Sequence, residues 1–290
     1  MSALTTAPPT GVPASRGTLP TRRVLPALAT AIIAICAAAA VYGIAVWTSP
    51  GQLVDQYVLD AVRRASATAH VPHLMTVDSV TDPRVWIGAA LFAVIGSLVP
   101  AITGRVRLGT ALWRAATLLA FPVLIVAIVR LLRDVVLVRP QLHSWIAETS
   151  NSAPSGHAAA STACVVVLIA AAPKWLRPVV AAIGGTWASV VAFGLIADGW
   201  HRPSDIVISV LIVIGLGSLL PDPYGESPAP WGTLGLRLTA LLMTVIVTPL
   251  LVSLWYPEPR QVATAAGIAA VMSLALIVYR PCTYRSHGIR

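Results

Sequence analysis

A histidine and an aspartate in the C-terminal half of the chain have a spacing that suits acid–base or nucleophilic chemistry. His201 and Asp205 are four residues apart, so they would face each other across one turn of a helix. The carboxylate could then bind one ring nitrogen, fix the tautomer and stabilise the charged imidazole. Pro203 suits the first turn of the helix that would follow. A surface His–Asp pair has the same spacing, so the pair alone leaves both interpretations open.

A second polar segment, Ser155-Gly156-His157, opens a predicted helix. Serine is a good N-cap, the first amides of a helix lack partners within it, and glycine lets a ligand approach the backbone closely. Such a helix start binds anions, and a phosphate suits it. The alternative is an ordinary helix start that carries an interfacial histidine.

Arginine supplies the third component. Arg139 precedes Pro140, which holds the preceding backbone extended, and a guanidinium fixed there could bind a phosphate through two parallel hydrogen bonds. Alone, this arginine could equally contact lipid headgroups at an interface. Together, the histidines, the carboxylate, the anion-binding helix start and the arginine are sufficient for phosphoryl transfer through a phosphohistidine.

The elements that must position these residues are apolar. The chain has 290 residues, of which 57% are hydrophobic and 11% charged, and its mean hydropathy is +0.80. Soluble domains are about 25% charged, so this chain could not cover its surface in water and we expect lipid as its main solvent. The net charge of +9 would suggest nucleic acid in a soluble protein. Here the arginines lie mostly in the gaps between apolar runs, which fits membrane topology instead, and we expect no nucleic-acid partner.

The hydropathy pattern predicts an all-α, polytopic transmembrane helix bundle with about eight spans. The predicted spans cover residues 24–48, 85–103, 113–132, 157–172, 178–197, 204–220, 235–256 and 262–279. A polar segment over 52–63 predicts an amphipathic helix, either at the membrane interface or packed as a loop helix. The remaining segments are predicted as a disordered tail (1–23), a linker (221–234) and a C-terminal tail (280–290).

An even number of spans places both termini on one side of the membrane. The positive-inside rule makes that side cytoplasmic, which predicts a multi-pass protein of the plasma (inner) membrane. Both polar segments then lie on the extracytoplasmic side, at the mouths of successive spans. Three widely separated cysteines, Cys36, Cys164 and Cys282, indicate neither a metal site nor a disulfide framework.

The ordered motifs resemble those of the type 2 phosphatidic acid phosphatase (PAP2) superfamily of membrane phosphatases. That family carries Lys-x6-Arg-Pro, Pro-Ser-Gly-His and Ser-Arg-x5-His-x3-Asp in this order. The matching residues here are Arg139-Pro140, Pro154-Ser155-Gly156-His157, and His201 with Asp205. The resemblance implies a six-span core over residues 24–220, with two further spans over 235–279 outside it.

The resemblance also implies a role for each matching residue. His201 would attack phosphorus, Asp205 would orient it, and His157 would protonate the leaving oxygen. The phosphate oxygens would be held by Arg139, Ser155 and Gly156. No metal and no other cofactor is implied, because cations and amides would stabilise the developing charge.

Two positions depart from the family pattern. The family lysine falls on Leu132, and the neighbouring Arg133 is our preferred substitute as a substrate-binding residue. The family Ser-Arg pair falls on Gly194 and Leu195, so its arginine is missing. Arg202 is a poor substitute if it lies on a helix with His201, because adjacent helical residues do not share a face.

The sequence therefore predicts a metal-independent phosphatase that hydrolyses a lipid phosphate or diphosphate, polyprenyl or glycerolipid, at the extracytoplasmic face. The alternative is a catalytically degenerate PAP2-like protein that binds or carries a phospholipid without turnover. The expected partners are the lipid substrate and membrane lipids, and no motif indicates a protein partner. The last two spans contain few polar side chains, so we expect a scaffold role for them.

Overall fold

A computed structural model describes residues 21–63, 68, 70–146, 150–222, 234–279 and 282–283. These residues form an all-helical bundle, as predicted. Its helices are α1 (Thr21–Trp47), α2 (Ser49–Arg63), α3 (Pro83–Ile102), α4 (Leu108–Leu131), α5 (Gly156–Ala171), α6 (Arg177–Ala197), α7 (Pro203–Gly217), α8 (Leu234–Ser253) and α9 (Pro259–Val278). Short 3-10 turns at His73–Met75 and Val77–Val80 precede α3, and a π-helical turn, Leu132–Val136, follows α4.

Two short strands were not indicated by the sequence. β1 (Pro221–Asp222) pairs in parallel with β2 (Cys282–Thr283), which ties the end of the α7 segment to the chain after α9. Most of the predicted linker and C-terminal tail lies outside the described residues. So does the predicted N-terminal tail, except that α1 begins at Thr21 and includes its last three residues.

The eight predicted spans fall on eight apolar helices, but those helices differ in length. Five segments are long and apolar enough to cross a bilayer, so the chain is a multi-pass membrane protein: Val24–Trp47, Pro83–Ile102, Leu108–Val136, Arg177–Ala197 and Pro259–Val278. The other three are shorter: Gly156–Ala171, Pro203–Gly217 and Leu238–Ser253. The largest difference between a predicted and an observed helix boundary is at the start of α4, which begins at Leu108 rather than at residue 113.

The short helix α5 lies at the centre of the bundle. It packs against α3, α4, α6 and α7, and every residue from Ala158 to Val167 is buried. This stretch is made of alanine, serine, threonine, cysteine and valine, and small residues let neighbouring helices approach closely in a membrane. The same principle joins α1 to α7, where a Cβ on Gly215 would lie 3.2 Å from the carbonyl oxygen of Ala31.

Two buried arginines hold the C-terminal end of α5. Arg177 Nε donates to the carbonyl of Ala172 at 3.0 Å, and Arg114 donates to the carbonyls of Ala170 and Gly96. The last carbonyls of a helix lack partners within it and carry the negative end of the helix dipole, so cations stabilise them. The opposite, N-terminal end of α5 is the end that carries Ser155-Gly156-His157.

The amphipathic helix predicted over 52–63 is present as α2, and it packs onto α1, α6, α7 and α9. Its polar side faces inward, whereas Leu53, Val54 and Tyr57 are exposed. The inward-facing side chains are Gln52, Asp55, Gln56, Leu59 and Val62. A polar helix face can be buried only against partners for its hydrogen bonds, so α2 must cover a polar site. The last two helices, α8 and α9, pack against each other and against α6.

Candidate active site

His201 is held by a glycine turn at the end of α6. The turn contains Gly199, whose φ of +75° is favourable only for glycine. In this turn, the backbone N–H groups of Trp200 and His201 both donate hydrogen bonds to the carbonyl of Leu195, at 3.0 and 3.1 Å. This pairing closes the helix end and delivers His201 just before α7 begins.

Asp205 faces His201, as the spacing predicts. The Nδ1 atom of His201 lies 3.5 Å from Oδ2 of Asp205, and the exposed fractions of the two side chains are 9% and 0%. His201 precedes α7, so the pair is not formed across a turn of regular helix. Asp205 is held instead at the third position of α7, where its Oδ2 accepts the backbone N–H of the N-cap residue, Arg202, at 2.9 Å. With Nδ1 turned to the carboxylate, Nε2 is the nitrogen left for chemistry.

Ser155 is the N-cap of α5, as predicted. Its Oγ accepts the backbone N–H of Ala158 at 3.3 Å, and the side chain is fully buried. The backbone of Ser155 is joined to α7 as well, because its N–H donates to the carbonyl of Asp205 at 3.2 Å. The Oγ of Ser209 in turn donates to the carbonyl of Ser155 at 3.0 Å. The two polar segments of the sequence are therefore in direct contact.

Gly156 and His157 lie on the open side of this helix start. A Cβ added at Gly156 would meet nothing within 4 Å, so a ligand has room to approach the backbone there. The half-buried His157 packs its ring against Trp200, with 5.6 Å between the ring centroids. It is close enough to His201 for the two charges to interact, and the same holds for the charges of Arg130 and Arg133.

Arg139 is buried between two carboxylates. Its Nη2 atom is 3.4 Å from Oδ2 of Asp55 and 3.9 Å from Oδ1 of Asp205, and its side chain is 5% exposed. Burial lowers the pKa of the Arg139 guanidinium below its usual value, and the nearby positive charge of Arg202 lowers this pKa further. The backbone beside Arg139 is fixed by Gln52, whose amide donates to the carbonyl of Pro140 at 2.7 Å.

Arg202, which the sequence argument set aside as a helical neighbour of His201, lies near Arg139 in the structure. Its backbone is extended (φ −83°, ψ 159°) and precedes α7, so the restriction on adjacent helical residues does not apply. The side chain is buried, and Nη1 and Nε donate to Ser152 Oγ and Gln56 Oε1, each at 3.1 Å. Ser152 also donates to Asp205 Oδ2 at 2.7 Å. A second arginine thus stands beside Arg139.

Asp55 and Gln56 are further residues that the sequence argument missed. Both belong to the buried face of α2, and Asp55 accepts hydrogen bonds from the backbone N–H and the hydroxyl of Ser204, at 3.0 and 2.6 Å. Burial raises the pKa of Asp55 to about 6, and the negative charge of Asp205 contributes to the rise. A usable signal was present in the sequence: Gln52, Asp55 and Gln56 recur at helical spacing and form a polar stripe.

Arg133 is placed at the margin of this group. It lies in the π-helical turn, where its Nε bonds Asp134 Oδ1 at 2.7 Å, and its side chain is 27% exposed. Its carbonyl accepts the side-chain amide of Asn151 at 3.1 Å, which connects the end of α4 to the Ser155 segment. The two positions that lack family cations are apolar: Leu132 packs against the core and Leu195 is fully buried.

The fold and this site define a class: a helical, multi-pass membrane protein with an arginine-rich histidine–carboxylate centre beside a helix N-terminus. Residues 134–222 match the family model of the PAP2 superfamily. The chain therefore carries a PAP2 superfamily domain over these residues, which confirms the resemblance seen in its motifs, and members of that superfamily are generally lipid phosphate phosphatases. No curated protein and no solved structure shows significant similarity to the chain.

Proposed function

We propose that this protein is a membrane phosphatase that hydrolyses a lipid phosphate or diphosphate, polyprenyl or glycerolipid, through a phosphohistidine at the extracytoplasmic face. The observation that carries the proposal is the pairing of His201 with the buried Asp205, at 3.5 Å, beside Arg139. A protein that only bound a phosphate would need the arginines and the helix start. It would have no use for a histidine whose carboxylate partner prepares it to act as a nucleophile.

The reaction would proceed in two balanced steps. Nε2 of His201 forms a bond to phosphorus while the bond from phosphorus to the leaving oxygen breaks, and a protonated His157 gives its proton to that oxygen. The leaving oxygen is the lipid oxygen in a monophosphate and the bridging oxygen in a diphosphate. Water then attacks the phosphohistidine and loses a proton to His157, the nitrogen–phosphorus bond breaks, and inorganic phosphate leaves. Asp205 stabilises the positive ring of His201 throughout.

The charge that develops on the phosphoryl oxygens would be stabilised by fixed cations and amides. Arg139 and Arg202 are both buried, where an electrostatic interaction is stronger than in water. The amides that open α5, beginning at Gly156, supply a second group of donors. Ser155 contributes by capping that helix. Arg133 would act at longer range, through its charge near His157. On this basis we propose chemistry that is independent of metal.

An apolar cavity supports a lipid as the substrate. It has a volume of about 400 Å³ and lies between α3, α4 and α5, with Trp86, Leu118, Val126 and Val167 among its lining residues. Val167 is ten residues along α5 from His157, a distance of about 15 Å along the helix. A hydrocarbon chain lodged there would extend toward the polar end of the bundle, where the phosphate would be held.

A second candidate function follows from Leu132 and Leu195. Both positions are apolar and packed, so two cations of the family pattern are absent. A degenerate relative that binds or carries a phospholipid without turnover would keep the fold and the arginines. The presence of His157, His201 and Asp205 together favours the phosphatase, because binding alone does not require them.

Phosphate release in detergent tests the proposal. The purified protein would be offered polyprenyl diphosphates, polyprenyl monophosphates and phosphatidic acid in the presence of EDTA, alongside His201→Ala. His73→Ala is the control, because His73 is 58% exposed and pairs with Asp82 away from the site. Release that persists in EDTA and in His73→Ala but disappears in His201→Ala would support phosphohistidine chemistry. Lipid binding without release by the folded wild type would make the binding function the leading one.

A further inference from the structure

The buried carboxylate of Asp55 comes from a part of the chain outside the segment that matches the family model. That segment begins at residue 134, whereas Asp55 lies on α2, with its side chain only 5% exposed. Its carboxylate oxygens contact two site elements at once: the guanidinium of Arg139, and the backbone N–H and hydroxyl of Ser204. A second carboxyl group is thus built into the site besides the one that faces His201.

The first contact divides Arg139 between two carboxylates. Its Nη2 is 3.4 Å from Asp55 and 3.9 Å from Asp205. If Asp55 carried no charge, Asp205 would be the remaining carboxylate contacted by this guanidinium, and the arginine would be drawn toward it. A closer pair with Arg139 would compete with His201 for the same carboxylate. Asp55 therefore balances the arginine and leaves Asp205 available to the histidine.

The second contact fixes the start of α7. Ser204 is the second residue of this helix, and its N–H is one of the amides that no residue within the helix can bind. Asp55 accepts that N–H at 3.0 Å and the serine hydroxyl at 2.6 Å, so an anion sits at the positive end of the helix. Asp205 is the next residue along. The position of Asp55 thus determines where the first turn of α7 holds the partner of His201.

The neighbouring residue of α2 acts in parallel on the other arginine. Gln56 accepts Nε of Arg202 at 3.1 Å and donates to Asp60 at 3.2 Å. One face of α2 therefore contacts both buried arginines of the site. Its opposite face presents Leu53, Val54 and Tyr57 to the surroundings of the protein.

We propose that Asp55 is a positioning residue of the phosphate site: it holds the Arg139 guanidinium and the first turn of α7, so that Arg139 faces the phosphate and Asp205 faces His201. The proposal rests on the proposed function, because it assigns Asp55 to the same site. It makes α2 a structural part of the active centre rather than a connection between two spans.

A double-mutant cycle on anion binding tests this, with inorganic orthovanadate as the probe and isothermal titration calorimetry as the measurement. The variants are Asp55→Asn, Arg139→Gln and the two combined. If Asp55 acts through Arg139, Asp55→Asn weakens orthovanadate binding about 10-fold, and the double variant binds no more weakly than Arg139→Gln alone. A merely structural role would make the two losses multiply, and that result would overturn the proposal, as would unchanged binding by Asp55→Asn.

Two further variants keep the experiment decisive. Glu258→Gln removes an exposed acid at the start of α9 and should leave binding unchanged. If Asp55→Asn does not purify as a folded protein, Ser204→Ala replaces it in the cycle. This variant removes the hydroxyl that holds the Asp55 carboxylate. We therefore expect the same coupling to Arg139→Gln, but a smaller loss of orthovanadate binding from the single variant.

The binding cycle also separates this inference from the proposed function. A wild type that binds orthovanadate but releases no phosphate from any lipid refutes the phosphatase, while the cycle still decides the role of Asp55. A folded wild type that binds no orthovanadate refutes both, because the phosphate site itself would then be missing.

Discussion

The backbone N–H of Ser155 donates a hydrogen bond to the carbonyl of Asp205 at 3.2 Å, although the two residues are fifty positions apart in the chain. This bond joins the cap of α5 to the first turn of α7. The helix start that would bind phosphate and the carboxylate that faces His201 are therefore held together. Displacing either segment should disturb both functions together.

Gly199→Ala should impair the site through the backbone. The φ of +75° is unfavourable for alanine, and the new Cβ would lie 2.7 Å from Cδ of Arg63. The strain should reduce stability by about 1–2 kcal/mol and displace His201, so phosphate release should fall at least about 10-fold. Release assays and thermal melts would measure both effects. The control is Gly88→Ala in the interior of α3, where the added Cβ would meet nothing within 4 Å. This variant should be neutral or stabilising.

Arg202→Gln should reduce kcat/KM more than Arg133→Gln does. Arg202 is buried and 3% exposed, whereas Arg133 is 27% exposed and paired with Asp134. Loss of a buried cation beside the phosphate should lower kcat/KM about 100-fold or more. Loss of a partly exposed cation, whose charge water and salt screen, should lower kcat/KM about 10-fold or less. Steady-state kinetics on the substrate found in the release assay would compare the two variants. The reverse order would restore Arg133 as the substitute for the family lysine.

Asp55→Asn should stabilise the folded protein at pH 8 while weakening the site. The pKa of Asp55 in the folded state is about 6, above its ordinary 3.8. The folded protein therefore binds more protons at this group than the unfolded chain does between pH 4 and 6, and the contribution of Asp55 to stability falls as the pH rises through that window. The groups that act on this titration are Asp205, Ser204 and Arg139. By linkage, the ionised carboxylate costs about 3 kcal/mol, most of which asparagine would remove.

Thermal melts at pH 5 and pH 8 measure this effect. Relative to the wild type, Asp55→Asn should gain stability between the two pH values and melt higher at pH 8. A lower melting temperature for the variant at pH 8 would show that the ionised carboxylate is a net stabilising contact. A residue that reduces stability yet is needed for anion binding would be the mark of a functional position.

Ser155→Ala should act mainly on stability. The hydroxyl is fully buried and caps α5 through the Ala158 amide, so its loss should cost about 1 kcal/mol. We expect KM to change less than it does in Arg139→Gln. Ser189→Ala, which removes a hydroxyl bonded only within its own helix at 2.7 Å, is the matched control in melts and kinetics. A KM effect as large as that of Arg139→Gln would show that the hydroxyl contacts phosphate directly.

The sequence predicted those parts of the site that depend on local spacing. His201 and Asp205 are four positions apart and meet as predicted, although His201 lies just before the helix rather than within it, and Ser155 caps a helix because its neighbours begin one. Arg202 was missed because it was treated as a helical neighbour of His201, whereas its backbone is extended, and an extended residue obeys different geometry from a helical one. The eight apolar helices were likewise found from hydropathy, since a bilayer requires long apolar runs.

The contribution of α2 could not be predicted in the same way. Asp55 contacts Arg139 and Ser204 across 84 and 149 residues of chain. Such contacts depend on how the helices pack, which hydropathy does not specify. The pattern over 52–63 correctly indicated an amphipathic helix, but it did not indicate that the polar side would be the buried one. The burial of a polar face becomes understandable only once the arginines behind it are known.

The shortness of α5 and α7 affects how the protein would meet the bilayer. They have 16 and 15 residues, so they span about 24 and 22 Å, less than the roughly 30 Å of a hydrocarbon core. Because the arginines hold one end of α5, the shortfall would appear at the other end, where the proposed phosphate site lies. The site would be recessed toward the depth at which lipid headgroups already reside. A lipid could then present its phosphate to His201 by lateral diffusion, with its chains still in the membrane.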